Sequence, residues 1–218
     1  MAEQDVIMDL ERESRTALPE AILCEGKSDV QVETAVKQML DAGKNVLLTR
    51  LDADRTKALS LSPFDYDAES RTGIAGPWTA PASKPRVAVV AAGTSDLGVA
   101  REAARTLAYL GVASREYADV GVAGLWRLLK IQEELTTYPA IIAVAGMEGG
   151  LFSVLGGLVP GLVVAVPTSR GYGICRNGET ALHSALASCA QGIVAVNIDN
   201  GYGAACAVAR SFSKGNRS

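Results

Sequence analysis

With 218 residues and a formal net charge of −3, the chain is long enough for one sizeable α/β domain plus a small one, and it carries no basic stripe for nucleic acid. Hydrophobic residues make up 48 % and aromatics 5 %, a Gly- and Ala-rich mixture that suits close helix-on-sheet packing and excludes intrinsic disorder. Every apolar run is broken before membrane-spanning length, the start Met1-Ala2-Glu3-Gln4-Asp5 is unlike a signal peptide, and the four cysteines show no CxxC pairing, so a cytoplasmic protein with reduced thiols is expected.

In chain order, residues 6–12 predict a short helix within a charged opening. Ala21-Ile22-Leu23-Cys24 reads as a strand, residues 26–28 as a turn, 30–40 as a helix and 45–51 as a second strand, a small βαβ unit. Residues 52–84 carry Pro63, Gly73, Gly76, Pro77 and Pro81 and read as a connecting segment, with a short strand near Arg71 or a helix over 55–61. The expected division is a small N-terminal α/β unit with its linker over 1–84 and a larger domain over 85–218.

From Arg86 onward, strands are predicted near 86–92, 112–117, 140–145, 162–166 and 192–198. Helices fall near 97–110, 122–135, 150–158, 178–190 and 201–212. Apolar runs alternating with helices predict a doubly wound parallel sheet covered on both faces, a three-layer α/β fold of flavodoxin or Rossmann kind. Ligands in such sheets bind beyond the carboxyl ends of the strands, where the strand order reverses. The polar loops 93–96, 146–150, 168–177 and 197–203 belong to that edge.

The first of these loops, Gly93-Thr94-Ser95-Asp96, joins a strand to a helix. Its N–H groups and the helix start favour phosphate, and Asp96 suits ribose hydroxyls; the alternative is a plain helix cap. Met147-Glu148-Gly149-Gly150 offers a carboxylate between glycines, as a general base, a sugar ligand or a cap. Pro167-Thr168-Ser169-Arg170-Gly171-Tyr172-Gly173 reads as a clamp for phosphate or carboxylate. No metal-ligand spacing appears, and the single histidine, His183, reads as a surface or satisfied helix residue. Leu182, Ala185, Leu186 and Cys189 recur at helical spacing, which reads Cys189 as a core residue near a helix end that opposes thiolate formation.

Taken together, Ala92-Gly93-Thr94-Ser95-Asp96, the run Tyr117-Ala118-Asp119-Val120-Gly121-Val122-Ala123-Gly124, Ala145-Gly146-Met147-Glu148-Gly149-Gly150, residues 166–173 and Val196-Asn197-Ile198-Asp199-Asn200-Gly201-Tyr202-Gly203-Ala204-Ala205 resemble one family. It is the pyridinium-3,5-biscarboxylic acid mononucleotide synthases of nickel-pincer cofactor biosynthesis, often called LarB. The resemblance also takes in Glu25-Gly26-Lys27 and Thr49-Arg50. It implies a catalytic half similar to the PurE-type carboxylases, and a reaction in which nicotinic acid adenine dinucleotide is carboxylated on its ring by CO2 and hydrolysed to release AMP. Ser188-Cys189-Ala190 matches the family's nucleophilic cysteine, and Glu148 its Met-Glu-Gly glutamate. Thr94, Ser95, Asp96, Gly146, Gly149, Ser169, Tyr172, Asn197 and Asp199 are the substrate-binding candidates, with Ser95 acting through its backbone. The resemblance assigns no role to Arg170. No tightly bound cofactor and no protein metal site are implied, only magnesium carried by the substrate diphosphate, and the fold relatives imply a homo-oligomer, an octamer by analogy. Two other readings stay open: a purine-pathway carboxylase or mutase on the same fold, which lacks its histidines here, and a noncatalytic adenine-nucleotide module. A Rossmann dehydrogenase is disfavoured because the first loop lacks the GxGxxG spacing.

Overall fold

The computed structural model describes residues 6–59 and 61–213, which fall into two units, one running to Ala80 and one spanning Pro81–Phe212. In the first unit the helix expected over residues 6–12 does not form. Gln38 brackets that segment instead: its Nε2 donates to the Val6 carbonyl at 2.9 Å and its Oε1 accepts from the Met8 amide at 3.1 Å. Val6 and Met8 then pack on the core, and a five-residue helix, α1 (Arg12–Thr16), follows.

The predicted βαβ unit is present as β1 (Ala21–Leu23), α2 (Asp29–Asp41) and β2 (Val46–Thr49), with β1 parallel to β2. Ser28 and Gln31 form a reciprocal capping box that starts α2, and Val32, Ala35, Val36 and Met39 bury one face of it. Residues 52–84 correct the linker expectation. After one turn of helix, α3 (Ala53–Thr56), a hairpin of β3 (Phe64–Asp67) and β4 (Thr72–Ala75) pairs antiparallel with β2, giving a mixed sheet in the order β1-β2-β4-β3. Arg71 lies in the hairpin turn at φ 54°, where Asp67 Oδ1 accepts from the Ser70 amide and hydroxyl. The Gly76 amide donates to the Pro63 carbonyl at 3.0 Å, so residues that looked like linker punctuation close a hairpin.

The second unit is a five-stranded parallel sheet: β5 (Val87–Ala91), β6 (Ser114–Tyr117), β7 (Ala140–Ala145), β8 (Leu162–Pro167) and β9 (Ile193–Ala195), in the order β6-β5-β7-β8-β9. Its apolar runs are continuous because both faces are covered. Val87, Val89 and Ala91 point to a core shared with α4 (Leu97–Tyr109) and α8 (Gly201–Ser213). Ala88 and Val90 point to the opposite core, shared with α5 (Leu125–Leu135), α6 (Gly150–Leu158) and α7 (Glu179–Leu186). The chain leaves β5 toward β6, then crosses back to β7 on its other side, so the order reverses at β5.

One predicted helix is cut short. The last turn of α7 closes with the Ala187 amide on the His183 carbonyl, and Ser188 then leaves the axis, its hydroxyl 2.7 Å from that of Ser153 on α6. Cys189 is therefore outside the helix and exposed, and Leu186 is 69 % exposed, which overturns the core reading of both.

Candidate active site

A cavity of about 460 Å³ opens beyond the carboxyl ends of the strands, at the reversal of strand order. Four loops of the second unit line it. The first leaves β5 and supplies Ala92, Gly93, Ser95 and Asp96; the second follows β6 with Gly121, Val122 and Ala123. The third follows β7 with Gly146, Met147 and Glu148, and the fourth follows β8 with Arg170, Gly171 and Tyr172.

Asp96 is the electrostatic pivot. It is 4 % exposed, its Oδ1 accepts from the Thr168 hydroxyl at 2.7 Å and its Oδ2 accepts from the Gly93 amide at 3.0 Å. The carboxylate thus caps its own loop and ties β5's end to β8's end. Burial pushes its pKa up, opposed by the Thr168 and Gly93 hydrogen bonds and by the positive charge of Arg170.

Glycine is required where these loops touch. A Cβ on Gly146 would sit 2.1 Å from the Arg170 carbonyl oxygen, and one on Gly121 would sit 2.7 Å from that of Ala92. The Met147 amide donates to the Arg170 carbonyl at 2.9 Å, with Met147 held at φ 51°. The third and fourth loops therefore share one wall, and Glu148 and Arg170 both stand on it. The Glu148 side chain is exposed to the cavity.

Of the residues singled out by sequence, Ser95, Asp96, Gly146, Glu148 and Tyr172 line the cavity. Thr94 is exposed and outside the lining. Ser169 and Asp199 support it from behind: the Ser169 amide donates to Asp199 Oδ1 at 2.8 Å, and the Asp199 amide donates to the Pro167 carbonyl at 2.9 Å. Asn197 accepts from the Ile198 amide, and Gly149 (φ 65°) starts α6 under the cavity wall. Cys189 is not in the lining, and its segment leads into the amino end of β9 rather than leaving a carboxyl end. Gly121, Val122 and Ala123 also line the cavity; in sequence their signal was a glycine shortly after a strand end, and its close contact with Ala92 shows only in the fold. Among the described residues no group of three His, Cys, Asp or Glu is placed to hold a metal ion, and no helix is long and apolar enough to cross a membrane.

Comparison with known proteins assigns both units. A family model described as LarB/PurE-like N-terminal domain matches residues 4–76, and one described as AIR carboxylase matches residues 86–218. An uncharacterized protein of Methanocaldococcus jannaschii is 35 % identical over 215 residues, covering 93 % of this chain and 82 % of that protein. A crystal structure of a Treponema denticola PurE2 variant aligns with TM-score 0.50 at 22 % identity, over 61 % of this chain and 82 % of that one, a likeness of fold. A carboxylase-type sheet with its ligand loops at the strand ends, joined to this particular N-terminal unit, places the chain in the LarB family, with a PurE-like AIR carboxylase domain as its catalytic half.

Proposed function

We infer that the protein carboxylates the pyridinium ring of nicotinic acid adenine dinucleotide and hydrolyses its phosphoanhydride, giving pyridinium-3,5-biscarboxylic acid mononucleotide and AMP. The observation that carries this reading is a carboxylase cavity with a glutamate and no imidazole. The one histidine of the sequence, His183, lies on α7 outside the lining, so the histidine-based purine reaction has no group to run on. The pairing with a LarB-type N-terminal unit supports the same choice.

The chemistry asks for three things. A pyridinium cation is electron-poor and does not attack CO2. Addition of the Cys189 thiolate to ring carbon 4 gives a neutral enamine whose carbon 5 is nucleophilic. Carbon 5 forms the new bond to CO2, Glu148 takes the proton from that carbon, and expulsion of the thiolate restores the aromatic ring. Separately, water opens the phosphoanhydride and AMP leaves. Asp96 and the start of α4 suit the ribose and phosphates. No resident cofactor enters this scheme; magnesium would arrive on the diphosphate. The free thiols agree with the reducing cytoplasm as the place of action.

Cys189 is exposed and lies outside the cavity lining of its own chain. The reading therefore includes a homo-oligomer in which Cys189 of one copy closes on the ring held by another. The direct test is mass spectrometry of products after incubation with nicotinic acid adenine dinucleotide and isotopic bicarbonate. Wild-type protein should yield a mononucleotide carrying one labelled carboxyl group, with AMP. Glu148→Gln and Cys189→Ser should fold and make none. Wild-type protein that binds the dinucleotide without carboxylating it would favour a noncatalytic nucleotide module.

A further inference from the structure

Among the described residues Arg170 is the only cation lining the cavity, which also presents the carboxyl groups of Asp96 and Glu148. Its guanidinium makes no hydrogen bond or ion pair with any described residue; its charge is felt by Asp96. Three other arginines of the same unit are engaged, Arg115 with Glu134, Arg127 with Asp119 and Arg101 with Glu116, whereas exposed Arg176, also unengaged among the described residues, lies outside the cavity lining. A planar fork of donors held beside two acids and left without a partner is arranged for an incoming anion.

The backbone under this arginine is fixed. The Arg170 carbonyl accepts from the Met147 amide and fills the space that a side chain on Gly146 would need. Arg170 and Glu148 therefore project from one wall, while the strand-to-helix loop ending in Asp96 forms another. A phosphate group is served by that loop and the start of α4. The anion left for the Glu148 wall is the one on the ring.

Resting on the function proposed above, we propose that Arg170 recognises the ring carboxylate of the pyridinium and so makes the enzyme select the acid dinucleotide over its amide. The lining carboxyl groups of Asp96 and Glu148 suit the pyridinium cation but disfavour the carboxylate it carries; the guanidinium offsets that repulsion and can meet the carboxylate through two parallel N–H donors. A neutral carboxamide gains neither, and its NH2 group faces the arginine as donor against donor.

The test is calorimetric titration, without bicarbonate, of wild type, Arg170→Gln and Arg170→Lys with nicotinic acid adenine dinucleotide and with NAD, alongside thermal melts. Wild type should bind the acid roughly 10- to 100-fold more tightly than the amide, the scale of a charged hydrogen bond. Arg170→Gln should lose that preference by weakening the acid alone, and Arg170→Lys should recover part of it. Equal weakening of both ligands would put Arg170 on the diphosphate and overturn the assignment. An unchanged preference in a folded Arg170→Gln protein that still carboxylates would overturn it while leaving the proposed function standing. A wild-type protein that binds neither dinucleotide would overturn both.

Discussion

Asp96 has a donor at each oxygen and almost no water around it, and these facts pull its ionisation in opposite directions. Burial is the larger influence, so the folded protein favours the protonated acid more than the unfolded chain does. The consequence for stability has a definite sign. A raised carboxyl pKa contributes stability below the unfolded-state value, and that contribution is lost as pH rises through the folded value. Asp96→Asn cannot ionise, so the melting temperature of wild type minus that of Asp96→Asn should fall as pH climbs from the ordinary aspartate range through the raised one. Melts at a series of pH values check this. A difference that grew with pH would mean that Thr168, Gly93 and Arg170 outweigh burial. The residue was legible in sequence as a strand-end carboxylate, whereas its link to Thr168, 72 positions away, was not. A cap reads out locally; a bridge between two strand ends depends on their being placed side by side.

At the scale of elements, periodicity located the parallel sheet well because its strands are apolar throughout and its helices bury regular faces. The failures share a cause. Residues 6–12 lost their helix to a side chain of α2, and the hairpin of β3 and β4 was hidden by short strands whose glycine and proline resembled a linker. Extrapolating α7 to Cys189 failed because Ser188 bonds to Ser153 on another helix. In each case a partner distant in sequence decided the local conformation. The wall joining the third and fourth loops depends on such a partner too, and it gives a sharp prediction. Gly146→Ala forces a Cβ to 2.1 Å from the Arg170 carbonyl. It should cost about 1–3 kcal/mol or more in denaturant unfolding and weaken dinucleotide binding, because backbone must move. Gly157→Ala in α6 meets nothing within 4 Å and should instead gain about 0.5–1 kcal/mol with binding intact. Equal effects from the two would show that the loop contact is not what holds the wall.

For the molecule as a whole, the reactive groups of the proposed reaction do not share one cavity wall. Glu148 stands among loops that leave the carboxyl ends of strands, and Cys189 is exposed on the segment entering β9. That strand is an edge of the sheet, with Val194 45 % exposed, and Ile174 and Leu186 in the preceding segments are more exposed still. Apolar side chains left in water near an unpaired sheet edge are costly in a lone chain and normal under a second copy. Sequence motifs carried both Glu148 and Cys189 into one reaction without showing how they meet, since a motif records chemistry and not the symmetry that assembles it. If the site forms between copies, mixing two inactive variants should restore it. Glu148→Gln and Cys189→Ser chains, each inactive alone, are unfolded together and refolded, or co-expressed with different tags and purified through both. A mixed assembly then contains interfaces in which an intact Glu148 cavity faces an intact Cys189, and labelled bicarbonate should again enter product. For random pairing across one interface type, about a quarter of the sites recover, because each partner must independently supply its unaltered residue. A doubly tagged, folded, mixed oligomer that stayed inactive would place the thiol and the cavity within one chain. Closure would then require the segment between α7 and β9 to move.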